Sequence, residues 1–137
     1  MKLFITGIGT DVGKTIVSSI VVEALMADYW KPIQAGDLDN SDTAKVQKFV
    51  SNSKSQYYDN AYKLNTPASP HYAAKLDNVH IELSAIREPK TTNHLVIEGA
   101  GGILVPLNTT DCIIDLIKTD YKVILVSRHY LGSINHT

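Results

Sequence analysis

Cysteine is nearly absent: the 137 residues contain one, Cys112, so no internal disulfide can form. That usage suits a reducing cytoplasm, the compartment expected here. Cys112 opens the apolar run Cys112-Ile113-Ile114, which predicts a buried, unreactive thiol. Charge of one sign is also scarce. A formal net charge of −1 supplies no footprint for nucleic acid or an acidic membrane surface, although a local anion site needs only a few donors. No apolar run approaches the length of a membrane span. Met1 to Ile5 leads straight into a glycine loop, without the apolar core of a signal peptide. The five histidines lack ligand-like spacing, which predicts no histidine metal site. Repeats, low-complexity tracts and linkers are missing too. What remains is an ordinary globular composition, 44% hydrophobic and 20% charged, on a length that suits one domain over residues 1–137.

Apolar patterning alternates between strand and helix. Leu3-Phe4-Ile5 reads as a short buried strand. Lys14 to Asp28 carries Ile16, Val17, Ile20, Val21, Ala24 and Leu25 at helical spacing, so an amphipathic helix is expected there. Tyr29 to Ile33 reads as the next strand. Asn40-Ser41-Asp42 reads as a helix start, with Val46, Phe49 and Val50 inward. From Ser51 to Asn93 periodicity fades; Pro67 and Pro70 interrupt it, and Ile81 to Glu88 could form a short helix. His94 to Glu98 is a clear strand, Asp111 to Lys118 a predicted helix, and Lys122 to Ser127 another strand. Alternation with continuously apolar strands predicts an α/β fold, a parallel sheet with helices on both faces. Ligands of such sheets bind at the carboxyl ends of the strands, where the glycine-rich segments of this chain fall.

Gly7-Ile8-Gly9-Thr10-Asp11-Val12-Gly13-Lys14-Thr15 joins the first strand to the first helix. Glycines let backbone N–H groups converge on phosphate oxygens, and the helix N-terminus adds partial positive charge. Gly9, Thr10, Asp11, Val12, Gly13, Lys14, Thr15 and Ile16 are therefore the expected nucleotide-binding residues. Lys14 would reach the β- and γ-phosphates, and the Thr15 hydroxyl would ligate Mg²⁺. The strict phosphate-loop pattern wants glycine where Ile8 stands, with Gly7 one residue early. Gly-Lys-Thr between an apolar strand and a helix, with two more glycines nearby, carries the assignment despite that shift.

Two acids and a second lysine complete the candidate chemistry. Asp42 suits a helix N-terminus and a Mg²⁺ ligand about equally. Glu98 ends a buried strand before Gly99-Ala100-Gly101-Gly102, a run that suggests close approach by a ligand. Lys31, in Lys31-Pro32-Ile33-Gln34-Ala35-Gly36, lies at the end of the second strand and hence on the edge that carries the phosphate loop.

These motifs resemble, in order and spacing, those of the dethiobiotin synthetase family: Gly7 to Thr15, Lys31-Pro32, Asn40-Ser41-Asp42, Glu98 to Gly102, and Leu131-Gly132-Ser133-Ile134-Asn135-His136. Thr66-Pro67-Ala68-Ser69-Pro70-His71 resembles a further family segment near the substrate and adds Pro70 to the expected contacts. The resemblance implies a phosphate-loop NTPase-like fold and ring closure of 7,8-diaminononanoate with CO₂ and ATP. One amine takes up CO₂, ATP phosphorylates the carbamate, and the second amine closes the ring. It implies Lys14 and Lys31 as catalytic cations, with Lys31 also touching substrate, and Thr15, Asp42 and Glu98 as Mg²⁺ ligands. It also implies Gly99, Ala100 and Gly101 beside the nucleotide. Leu131, Gly132, Ser133, Ile134 and Asn135 would receive the substrate carboxylate in a homodimer, each subunit supplying the segment to the other. No nucleic-acid or membrane partner is implied.

The sequence departs from the family in two ways. Ala35 stands where a hydroxyl residue is frequent, which removes one substrate hydrogen bond. Family members also run beyond Thr137, and the part carrying further strands and adenine recognition is expected to be missing. Rival readings are a nucleotide-switch ATPase of the partition or septum-positioning kind, a cofactor-acid amidating ligase, and an inactive anion-binding fragment. The switch ATPases carry an extra lysine early in the loop, where this chain has Gly9.

Overall fold

A computed structural model describes residues 1–137. Strand β1 (Lys2–Gly7) leads through the glycine loop into helix α1 (Lys14–Leu25). Then come β2 (Asp28–Trp30), β3 (Ile33–Ala35), α2 (Asp42–Phe49), β4 (Tyr57–Tyr58), β5 (Tyr62–Leu64) and α3 (Pro70–Leu76). The chain continues with β6 (Leu95–Gly102) and β7 (Tyr121–Val126) and ends in one helical turn, α4 (Ser133–His136). The main sheet has the order β4-β2-β6-β1-β7, every pair parallel. A second, two-stranded parallel sheet joins β3 to β5.

The alternation of side chains along β1 and β6 divides two cores. Ile5, Val22, Tyr29, Val46, Val96 and Val126 pack on the face covered by α1 and α2. Phe4, Trp30, Leu95, Ile97, Ala73, Ala74 and Ile113 pack on the other, beside α3. The expected parallel sheet with helices on both faces is therefore present.

Several local expectations are corrected. Helix α1 stops at Leu25, because Met26 turns into the left-handed region at φ 48° and Asp28 already belongs to β2. Its inward row is Lys14, Ser18, Ser19 and Val22, whereas Ile16 and Ile20 are exposed. Val17, Val21 and Leu25 of the expected apolar face do pack against the core, while Ser18 turns its hydroxyl to the buried Glu98 and Ser19 bonds Thr15 O within the helix. The predicted strand from Tyr29 to Ile33 breaks at Lys31-Pro32. Proline has no N–H for the ladder, so the chain leaves the main sheet and crosses to the small one. Pro70, read as a breaker, sits at the start of α3, where its missing N–H costs nothing. Ile81 to Glu88 and Asp111 to Lys118 form only short 3₁₀ turns, at Leu83–Ala85 and Ile113–Leu116. Phe49 is exposed rather than inward, and Cys112 is half-buried rather than buried.

Polar anchors tie the loops to this frame. The buried Asp28 carboxylate receives Gln56 N, Tyr58 OH, Thr91 Oγ1 and Asn93 Nδ2, and so fixes the base of β2 to β4 and to the approach to β6. Ser41 caps α2 by accepting from Ala44 N at 3.3 Å. Gly36, at φ +70°, passes so close to Pro67 that a Cβ there would lie 2.5 Å from its Cα. The last two contacts hold segments that wall the cleft, α2 and the turn at Pro67.

Candidate active site

A cleft of about 750 Å³ opens at the carboxyl ends of β1, β2 and β6. The phosphate loop forms one wall through Thr10, Asp11, Gly13, Lys14 and Thr15. Gly13 adopts φ +103° as the residue preceding α1, a left-handed turn that glycine makes without strain. The bend aims the first turn of α1 at the cleft, so its free N–H groups face where an anion would sit. Lys14 Nζ folds over its own loop and donates to Gly9 O at 2.7 Å. Burial pushes the Lys14 ammonium below its ordinary pKa, and the charge of Lys31 adds to that effect.

Lys31 is 5% exposed and lies between two carboxylates. Its Nζ donates in a short contact to Asp42 Oδ2 and at 3.2 Å to Glu98 Oε1. Burial is the largest single influence on Lys31 and opposes its charge. Glu98 and Asp42 together outweigh it and raise the pKa. Asp42 is likewise penalised first by burial, yet Lys31 holds its carboxyl below the usual range.

Glu98 is 0% exposed and is the most densely bonded side chain of the site. Oε1 accepts from Thr15 Oγ1 at 3.0 Å and from Lys31; Oε2 accepts from Ser18 Oγ at 2.7 Å and Tyr29 OH at 3.0 Å. Four donors on α1, β2 and the segment after β2 offset the desolvation of a carboxylate buried in the sheet.

The structure thus brings Thr10, Asp11, Gly13, Lys14, Thr15, Ile16, Lys31, Asp42, Pro70, Glu98, Ala100 and Gly101 to one cleft. Gly9 and Val12 belong to the same loop but do not line it. Gly99 turns toward the opposite core: a Cβ there would meet Phe4 and Ile113 at 3.1–3.2 Å, so this glycine serves packing. Leu131, Gly132, Ser133, Ile134 and Asn135 stay outside the chain's own cleft, and Leu131 and Ile134 are almost fully exposed.

Sequence reasoning passed over Gln34, Lys45, Phe49 and Ser69, which also line the cleft. Gln34 Oε1 accepts from Asp42 N at 3.2 Å while its Nε2 donates to Gly36 O at 2.9 Å, joining the start of α2 to the turn after β3. Lys45 follows Asp42 by three residues, a helical spacing that could have flagged it. It pairs with Asp37 at 2.8 Å and with Asp42 Oδ1 at 3.6 Å. Ionisable groups in the lining are Lys14, Lys31 and Lys45 against Asp11, Asp42 and Glu98, three cations to three acids. A bound polyphosphate would tip this balance negative, which favours entry together with a cation.

Comparisons with known proteins find named relatives and a family for this chain. The chain is 64% identical to the ATP-dependent dethiobiotin synthetase BioD of Christiangramia forsetii, over 98% of this chain and 65% of that protein. It is 54% identical to the same-named protein of Cytophaga hutchinsonii, over 99% of this chain and 66% of the relative. For that of Chlamydia pneumoniae the identity is 50%, over 99% of this chain and 61% of the relative. The chain thus spans under two thirds of the length of these curated relatives. A family described as "AAA domain" matches residues 1–137. With its glycine loop, parallel sheet and whole-length match, the chain belongs to the AAA domain family.

Proposed function

We propose that this chain supplies the phosphate-binding and phosphoryl-transfer part of an ATP-dependent dethiobiotin synthetase, which closes the ureido ring of dethiobiotin from 7,8-diaminononanoate, CO₂ and ATP. The observation that carries the reading is the buried Lys31, held by Asp42 and Glu98 in the same cleft as the phosphate loop. Plain nucleotide binding needs no second buried lysine, whereas a reaction between two anions does.

The donors suit Mg²⁺. Thr15, Asp42 and Glu98 offer only hard oxygen ligands and converge in one cleft, with Thr15 already bonded to Glu98. They would hold the ion, with Lys31 giving up part of its contact to the two carboxylates. When bound, Mg²⁺ neutralises charge on the transferring phosphoryl group.

The chain's own residues then divide the work. Amides of the loop and the first turn of α1 bind the phosphate tail. Lys14 leaves Gly9 O and turns its ammonium to the terminal phosphates. Lys31 faces the carbamate and offsets repulsion between two anions that must come into contact. A carbamate oxygen attacks the γ-phosphorus and ADP departs. The second amine then attacks the carbamoyl carbon, the carbon–oxygen bond breaks, phosphate leaves, and the amine gives up its proton as the ring closes.

Mg²⁺ dependence, a homodimer and a cytoplasmic setting belong to the same proposal. Leu131 and Ile134, almost fully exposed and outside the lining of their own cleft, support delivery of this segment to a second copy. No helix is long and apolar enough to cross a membrane. The test is a product assay on the complete protein with diamine, bicarbonate and MgATP. Dethiobiotin equimolar with ADP is expected; ADP release that ignores the diamine overturns the reading.

A further inference from the structure

The two oxygens of Glu98 live in different surroundings. Oε1 meets Thr15 and Lys31, both of which line the cleft. Oε2 meets Ser18 and Tyr29, both fully buried and neither lining the cleft. The carboxylate is therefore clamped on its core side by hydroxyls that lie outside the cleft lining.

The backbone explains how the clamp is made. Tyr29 pairs with Val96 in the neighbouring strand, two residues before Glu98, and its long ring reaches along the sheet to the carboxylate. It precedes Lys31 by two residues, so both side chains point to the α1 face and converge on Glu98 from one segment. Ser18 lies three residues after Thr15 on α1, one turn along, and so approaches the same carboxylate. The Tyr29 ring alone would satisfy packing among Ile5, Val22 and Val96. Burying its hydroxyl has a cost that only the bond to Glu98 offsets.

We propose that Tyr29, seconded by Ser18, is a positioning residue: its hydroxyl fixes Oε2 of Glu98 in the core so that Oε1 alone is presented to Thr15, Lys31 and a divalent cation. Without that bond the carboxylate rotates about its last torsion, which is soft. Lys31 and the cation then lose a partner in fixed orientation. Outer groups that orient a ligating carboxylate carry about 10–100-fold of metal affinity or activity in known sites. The proposal rests on the synthetase reading for its activity arm but not for its binding arm.

The experiment compares Tyr29→Phe and Ser18→Ala with the parent in the complete protein. Mn²⁺ binding, with a non-hydrolysable ATP analogue saturating, is followed by electron paramagnetic resonance, and kcat and KM for the diamine are measured beside it. Expected for Tyr29→Phe is about a tenfold loss of Mn²⁺ affinity and of kcat, at the lower end of that range, with KM for the diamine within about twofold. Ser18→Ala should show a smaller loss of the same kind, and it decides alone if the tyrosine variant does not fold. A merely structural tyrosine would lower thermal stability and leave Mn²⁺ affinity untouched. Parental Mn²⁺ affinity in the folded variants overturns the proposal. A parent that makes no dethiobiotin defeats the synthetase reading, and the Mn²⁺ comparison still decides the role of Tyr29.

Discussion

Replacing Lys31 by methionine removes the one cation that touches both the buried Glu98 and the partly exposed Asp42. Methionine keeps nearly the length of the side chain, so packing changes little and the electrostatic loss is isolated. Glu98 is 0% exposed and cannot recruit water, while Asp42 retains Lys45 at 3.6 Å. Breaking a buried ion pair from one side costs about 3–5 kcal/mol, because a charge is left without its partner. Thr15, Ser18 and Tyr29 still donate to Glu98, which places the expected loss near the lower end, about 3 kcal/mol. That is a large part of the total stability of a small domain. The assay is urea unfolding of parent and variant at pH 7 and pH 3, with and without Mg²⁺. In the variant Asp42 loses the ammonium that holds its pKa down, so the difference should narrow as pH falls below 3.8. In the parent Asp42 has its pKa depressed, and the stability this brings is full above 3.8, its ordinary value, and is lost only as pH falls below it. Mg²⁺ should recover part of the loss, since it takes the place vacated between the acids. A loss below about 1 kcal/mol at pH 7, the worth of a surface pair, would refute the reasoning.

Further perturbations reach other parts of the account. Lys14→Ala in the complete protein should lower kcat by about 10²–10³, the cost of one transition-state donor, with the fold intact by circular dichroism. Gly36→Ala should destabilise by about 1–3 kcal/mol in thermal unfolding from its left-handed backbone alone. Displacement of Pro67, 2.5 Å from the new Cβ, should add to that loss and disturb the Pro67-to-Pro70 wall of the cleft. Glu23 accepts from Ser51 and Asn52, which hold its pKa at about 2, so an NMR titration should find its carboxylate still charged at pH 3. The sign follows: the Ser51–Asn52 tether is complete above pH 4.5 and weakens as pH falls toward 2.

The elements that sequence reveals best are those whose apolar pattern and local chemistry agree. Leu3-Phe4-Ile5 and Leu95-Val96-Ile97 are continuous apolar runs, and both are central strands. The Gly-Lys-Thr turn follows one of them and opens α1, as its spacing requires. Failures occur where tertiary context prevails. The row Ile16 and Ile20 looked inward, but the inward face of α1 carries Ser18, whose hydroxyl serves Glu98. Periodicity cannot distinguish a serine that bonds a buried acid from one that faces water. Pro70 broke the pattern on paper and yet starts a helix, because proline is tolerated in the first turn. Of the candidate cleft, the sequence named Lys14 and Thr15 from the glycine loop and Lys31 and Glu98 from strand ends, while Asp42 suited a helix start equally; all five line it. Gln34 and Tyr29 were not named, since their roles arise from bonds to those residues across the fold, whereas Lys45 was within reach through its i,i+3 spacing from Asp42.

Isotope transfer puts the central chemistry to its most direct test. The complete protein is supplied with ¹⁸O-labelled bicarbonate, the diamine and unlabelled MgATP, and the released phosphate is analysed by mass spectrometry. If a carbamate oxygen attacks the γ-phosphorus in this cleft and leaves with the phosphate, one labelled oxygen must appear in each phosphate formed. Phosphate carrying no label, while dethiobiotin accumulates, would contradict it.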